Sequence, residues 1–312
     1  RFTLDWKFEG PSAPFFIAID KGYFAEEGLD VTIDSGAGSR ESIPRVATGT
    51  YEMGFGDVNA LIKFLNDNPD ADVKAVYMVY DRPPFAVIGR KSQGVTEDPK
   101  SLEGKKLGAP PPDAAFGQWP AFVKAANIDT SGITIENVGF PVREPMLAQG
   151  QVDAIFGFSI SSVPNLLAQG VAPDDISLIL MAENGLELYS NAILVNTDFA
   201  EANPDAVKGF LRAFNRGLKD MIADPEAAVK HVLERNDVAN AETEVLRLEM
   251  LLDQNILTDA VAEDGLGAIR PDRFSQSIET LKSSFELPTP PTTEQVFDSS
   301  YLPAKEDRMP PS

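Results

Sequence analysis

The stretch PFFIAIDKGYFAEEGLDVTI, Pro14 to Ile33, decides the fold. Phe15, Phe16, Ala18, Ile19, Tyr23 and Phe24 recur at helical offsets, whereas Asp20, Lys21, Glu26 and Glu27 fall largely on the other side. Gly28 is placed as the left-handed residue that stops the helix. Beyond it, LDVTIDSGAG alternates apolar and polar residues and dissolves into glycines. The unit reads as helix, glycine stop, strand and glycine-rich loop.

The same rhythm continues outward. FTLDWKF reads as a strand before the quoted helix; SRESIPRVATG and VNALIKFLNDN read as helices, and YEMGFGD and VKAVYMVY as strands. Strands alternating with helices of this length predict a mainly parallel sheet covered on both faces. The prolines of DRPPFAVIGRK mark a rigid crossing to a second sheet. There KKLGAPPP, ITIENVGF, VDAIFGF and ISLILMAE read as strands, and DAAFGQWPAFVKAAN, VREPMLAQG and SSVPNLLAQG as helices. ELYSNAILVNTDF is a second extended crossing, after which the chain turns helical and ends in a proline-rich tail expected to lie along the surface. The crossings divide the chain into a discontinuous lobe, 1–82 plus 191–312, and an inserted lobe, 83–190. Two α/β lobes joined in this way predict a ligand cleft between them.

Composition narrows the chemistry. The 312 residues are 43% apolar and 24% charged, which is globular, and the net charge of −21 works against nucleic acid and anionic bilayers. No cysteine is present, which removes thiolate nucleophiles, disulfides and iron–sulfur clusters. The single histidine, His231, sits in the helical pattern EAAVKHVLERN and reads as a surface or half-buried helical residue. Walker, GxGxxG, HExxH and GxSxG motifs are absent. No cofactor is expected, and the chain is expected to be a monomer.

DKGYFAEEGLDVTI resembles the bacterial solute-binding proteins of ABC importers in the nitrate, sulfonate, taurine and thiamine-precursor group, the NMT1/THI5-like proteins. Lys21, Gly22, Tyr23, Phe24, Gly28, Leu29 and Val31 carry the likeness, supported by GAGSRESIPRVATGTYEMGFGDVNAL, SLEGKKLGAP and REPMLAQGQVDAIFGF. The resemblance covers roughly residues 1–220. It implies a two-lobed α/β periplasmic-binding-protein fold of type II, a small-molecule solute and permease partners, and a non-enzymatic role. It also implies export to the periplasm, or a lipid anchor at the outer face of the cell membrane.

In GAGSR, Gly38, Ser39 and the amides of Arg40 and Glu41 precede a helix and are placed either to hold a ligand oxygen or merely to start that helix. Arg40 is a candidate clamp for a carboxylate or sulfonate. Trp6 and Phe8 end the first strand, where the family's ligand stacks on aromatic rings, although one of them in the core is an equally natural outcome. Asp57 and Asn59 close the third strand, where polar residues line the crevice of parallel sheets, with helix capping as the plainer role for Asp57. In the second lobe, Pro110, Pro111 and Pro112 replace the family's small turn and remove N–H donors. Asp113 is placed to cap the next helix, on which Phe116 and Trp119 form a stacking wall or a packed face. Phe158 and Ser159 are placed like Asp57 and Asn59, and Glu183 and Tyr189 lie near the second crossing.

The aromatic set favours a flat ring, such as a pyrimidine or an aromatic acid, over nitrate or a small sulfonate. A rival reading is a pyrimidine-precursor synthase on the same fold, but such enzymes carry a cysteine-rich iron-binding motif and an active histidine. A regulator's effector domain would need a helix-turn-helix before the first strand.

Overall fold

Within residues 1–311, which the computed structural model describes, the strands are β1 (Phe2–Thr3), β2 (Ile33–Asp34), β3 (Met53–Asp57), β4 (Val73–Met78), β5 (Phe85–Arg90), β6 (Lys106–Ala109), β7 (Thr134–Asn137), β8 (Ala154–Phe158), β9 (Ile176–Leu180) and β10 (Asn191–Asn196). They form two five-stranded sheets, ordered β2-β1-β3-β10-β4 and β7-β6-β8-β5-β9. In the first, β1 pairs in parallel with β2 and β3, while β10 runs antiparallel to both β3 and β4. In the second, β6 is parallel to β7 and β8, and β5 is antiparallel to β8 and β9. Each sheet therefore has four strands pointing one way and one pointing the other. The reversed strand is in each case the first after a crossing, so the α/β architecture expected from the sequence is observed with one inserted antiparallel strand per sheet.

By internal contacts the chain forms two compact units, Arg1–Arg82 with Tyr189–Glu279 and Leu287–Ser312, and Pro83–Leu188 with Thr280–Glu286. Tyr189 and Ser190 thus fall with the first unit, and residues 280–286 with the second.

In the first unit, helices Ala13–Asp20 and Pro204–Ala223 cover one face of the sheet. Phe2, Phe15 and Phe214 are buried there, with Phe15 and Phe214 centroids 4.6 Å apart and Phe2 stacked on Phe210 at 5.2 Å. The two helices approach so closely that a Cβ on Gly217 would lie 2.2 Å from the Pro14 carbonyl oxygen. The second unit is built around Ala86, Ile88, Leu147, Val152, Ile155 and Leu166. Among the described residues, no helix is long and apolar enough to cross a membrane.

Several elements differ from the sequence expectation. The quoted helix is two helices, Ala13–Asp20 and Tyr23–Glu26, because Gly22 adopts φ 75° before the expected stop at Gly28, φ 74°. FTLDWKF pairs as a strand only at Phe2–Thr3, since the carbonyls of Asp5 and Trp6 accept from Gly38 N at 2.6 Å and Gly36 N at 3.0 Å. DAAFGQWPAFVKAAN splits into Ala114–Gly117 and Trp119–Ala126 at Gln118. The tail is anchored as well as superficial: Phe297 bridges to Ala75, and buried Arg308 donates to the Leu266 carbonyl at 2.5 Å.

Candidate functional site

In the first unit, polar groups collect at the carboxyl ends of β1 and β3. The glycine loop brings them together. A Cβ on Gly36 would lie 2.2 Å from the Leu4 carbonyl oxygen, and Gly38, at φ 113°, turns the chain into helix Ser39–Ala47. Ser39 is buried beneath this turn; its Oγ donates to Asp5 Oδ2 at 3.1 Å and accepts from Asp57 N at 3.0 Å. Asn191, the first residue of β10, donates to the same Asp5 oxygen at 2.7 Å. Asp57 caps helix Val58–Asp67 by accepting from Ala60 N at 2.9 Å. Asn59 donates to Asp57 Oδ1 at 2.8 Å and to the Tyr189 carbonyl at 2.7 Å.

Burial governs the electrostatics. It pushes Asp5 up to about 6 despite the hydrogen bonds from Asn191 and Ser39, with the Asp57 charge adding to the rise. It also pushes Asp57 up to about 6, against the bonds from Ala60 N and Asn59. Lys63, on the same helix as Asn59, is brought down to about 8 by burial, with Asp57 opposing and Arg40 reinforcing the fall. The strand ends thus hold carboxyls able to carry or release a proton near neutrality.

Beside this cluster Trp6 is half-buried and donates from Nε1 to Glu9 Oε2 at 3.2 Å, with the Lys7 ammonium 5.5 Å from its ring centre. Phe8 packs edge-on against Phe16 at 5.0 Å, so its ring serves the helix contact. Gly38 is buried and Arg40 exposed. Tyr189 is buried, accepts from Arg270 N at 2.9 Å through its hydroxyl, and lies under the Arg273 guanidinium at 3.8 Å.

In the second unit, the carboxyl ends of β6 and β8 surround a buried ionic knot. Arg143, 2% exposed, donates to Asp113 at 3.1 Å and to Glu144 at 2.6 and 3.0 Å, and Ser162 donates to Glu144 at 2.8 Å. Asp113 also caps the next helix through Phe116 N at 3.0 Å; burial raises its pKa against the pull of Arg143. Phe116 and Trp119 both pack on Phe156, each at 5.1 Å, so Trp119 is largely core and Phe116 half-buried. Phe158 is half-buried against Phe85, Ser159 is buried, and Glu183 is exposed.

The sequence reading did not single out Asp5, Glu9, Asn191, Arg247 or the Arg143–Glu144 pair as site residues. Asp5 had a usable signal, an acidic residue beside Trp6 at a strand end. The arginines had none, since an arginine on a helix reads as a surface residue until its packing is known.

Asp20, His231 and Glu234 bring potential metal-ligand atoms within 4.8 Å of one another. Arg235 donates to Asp20 at 2.9 and 2.5 Å, placing a fixed cation where a metal ion would have to sit, and His231 Nδ1 lies 2.6 Å from Asp20. The group is an ion-paired clasp between helices Ala13–Asp20 and Pro225–Leu233.

Comparison with known proteins bears on this arrangement. The family model described as NMT1/THI5 like matches residues 10–228. The chain belongs to the NMT1/THI5-like family. A relative of this NMT1/THI5-like chain is the riboflavin-binding protein RibY of Chloroflexus aurantiacus, 27% identical over 93% of this chain and 82% of that protein. Another, the 4-amino-5-hydroxymethyl-2-methylpyrimidine phosphate synthase of Aspergillus parasiticus, is 27% identical over 76% of this chain and 70% of that protein. Among solved structures, the periplasmic aliphatic sulphonate binding protein SsuA of Escherichia coli superposes with a TM-score of 0.72 at 14% identity, covering 95% of both chains. That likeness shows the periplasmic-binding-protein fold.

Proposed function

We propose that this chain is the exported solute receptor of an ABC-type importer, binding a planar heteroaromatic solute of the pyrimidine class and passing it unchanged to a membrane permease. The observation that carries the reading is the pairing of the half-buried Trp6 ring with the buried Asp5 carboxyl at the strand ends. An indole face supplies stacking, and a carboxyl with a pKa of about 6 supplies a hydrogen-bonding group for ring nitrogens or amino substituents. Two relatives support the ligand class: riboflavin contains a fused pyrimidine ring, and the synthase is named for an aminopyrimidine. The proposed contact set on the first unit is Asp5, Trp6, Gly38, Ser39, Arg40, Asp57 and Asn59; on the second unit Phe116, Phe158 and Ser159 are candidates in their own right, while Trp119 serves packing on Phe156. Phe8, Glu183 and Tyr189 are secondary candidates.

The receptor role is favoured over a synthase because the chain has no cysteine and its one histidine is engaged in the Asp20 clasp. Native mass spectrometry of freshly purified protein, followed by calorimetry with riboflavin, 4-amino-5-hydroxymethyl-2-methylpyrimidine and taurine, tests both parts. A heteroaromatic adduct released intact on denaturation is expected. Binding of taurine alone would overturn the ligand class, and conversion of the bound compound would overturn the receptor role.

A further inference from the structure

Trp6 precedes residue 10, where the family match begins, and is held through a helix that follows its end. Its indole N–H donates to Glu9 Oε2 at 3.2 Å, and Arg247 Nη1 reaches the same oxygen at 3.4 Å. Arg247 is 1% exposed and lies on helix Ala241–Leu251, beyond residue 228 where the family match ends. It also donates from Nε to Glu244 Oε2 at 3.1 Å. Glu244 in turn accepts from Gly10 N at 2.6 Å, so the Glu9–Gly10 turn is gripped from two sides by one helix. The grip is close as well as polar: a Cβ on Gly10 would lie 3.0 Å from both the Glu244 carbonyl oxygen and Leu248 Cγ.

We propose that Glu9 and Arg247 are positioning residues that fix the orientation of the Trp6 ring for a planar ligand, with Arg247 locking the Glu9 carboxylate and Glu9 locking the indole. The proposal rests on Trp6 being the stacking surface. An indole tethered at Nε1 loses most of its freedom about χ2, so its face is presented in one orientation before the ligand arrives and less ordering is left for binding to impose. Burial raises the pKa of Glu9 and the Arg247 guanidinium opposes the rise, while the same oxygen accepts from the indole N–H and faces Arg247 at 3.4 Å. Trp6 and Arg247 thus lie on either side of the family-matched residues, the segment before residue 10 contributing the ring and helix Ala241–Leu251 its orientation.

The test uses the full chain in a Trp119→Phe background, in which Trp6 is the one remaining tryptophan. Trp6 fluorescence anisotropy, near-ultraviolet circular dichroism and affinity for riboflavin and 4-amino-5-hydroxymethyl-2-methylpyrimidine are compared in the background protein, Glu9→Leu, Glu9→Gln and Arg247→Met. Glu9→Leu is expected to lower Trp6 anisotropy and weaken the bound probe about tenfold, the effect of losing a hydrogen bond to a charged group. Glu9→Gln, which keeps an acceptor oxygen, should stay within about threefold. Arg247→Met should fall between them where it folds. Unchanged anisotropy and affinity in Glu9→Leu, whatever happens to its melting temperature, would reduce Glu9 to a structural residue. If neither probe binds the background protein, the ligand reading falls and the anisotropy arm decides the clamp by itself.

Discussion

Asn191 donates to Asp5 at 2.7 Å, fastening the first residue of the returning strand β10 to the chain just past β1. These residues are far apart in sequence, and both are nearly inaccessible to solvent. Ser39 donates to the same carboxylate oxygen, so β1, β10 and the glycine loop share one acceptor. The site is therefore built on a junction of three segments, and perturbing that acceptor should be felt in stability as well as in binding.

The first prediction concerns pH. Asp5 has a folded pKa of about 6 against an ordinary 3.8, so between those values the folded protein binds more protons than the unfolded chain. Its contribution to stability is fully present below about pH 4 and is lost as pH rises through about 6. Asp5→Asn removes this dependence. Relative to wild type, the variant should gain about 2–3 kcal/mol in urea-unfolding free energy between about pH 4 and pH 7.5. A pH-independent difference between the two proteins would show that Asp5 ionises normally in the fold.

Asp57 should behave as a cap with a site function added. Asp57→Ala is expected to cost about 1–2 kcal/mol in unfolding free energy, because Ala60 N loses its acceptor. Asp57→Ser, which restores a capping oxygen, should recover most of that stability while leaving any loss of ligand affinity in place. If Asp57→Ser recovers both, the carboxylate has no role beyond the cap.

Much of this fold is written locally. The segments around Met53–Asp57, Val58–Asp67, Val73–Met78 and Ala154–Phe158 carry clear strand or helix periods, and Asp57 both closes its strand and caps the helix that follows. What local pattern does not reveal is where backbone groups find partners. Asp5 and Trp6 continue the alternation of β1, yet their carbonyls bond to the glycine loop, so the strand ends early. Half of the site's polar scaffold is equally silent in sequence. ETEVLRLEMLL reads as an ordinary amphipathic helix, and only its packing on the Glu9–Gly10 turn makes Arg247 a buried member of the site. Asp57 had two readings, cap and ligand contact; the cap is visible in the hydrogen bond from Ala60, and the ligand contact remains a proposal.

In the second unit, Gly157 is held to its size by the ionic knot. A Cβ there would meet Ser162 Oγ at 2.6 Å and Arg143 Nη1 at 3.0 Å. Gly157→Ala should destabilise by about 1–3 kcal/mol through overpacking. Arg143→Met should cost more, about 3–5 kcal/mol, because Asp113 and Glu144 would remain buried without their cation. Equal costs for the two variants in chemical denaturation would mean that the knot is looser than its geometry implies.

The last prediction separates the two tryptophans by function. Trp119 is packed on Phe156 at 5.1 Å and belongs mostly to the core, whereas Trp6 is half-buried with its polar edge tied to Glu9. Trp119→Ala should therefore lower unfolding free energy by about 3–5 kcal/mol, the cost of emptying a buried aromatic site. Trp6→Ala should cost less in stability but weaken a planar ligand by about 1–3 kcal/mol, through lost stacking and lost apolar contact. Calorimetric titration of riboflavin and 4-amino-5-hydroxymethyl-2-methylpyrimidine, with thermal unfolding of the same samples, measures both quantities together. Wild-type affinity in Trp6→Ala, accompanied by a large fall in melting temperature, would assign the indole to packing and move the search for the stacking surface to Phe116 and Phe158, the half-buried rings of the second unit.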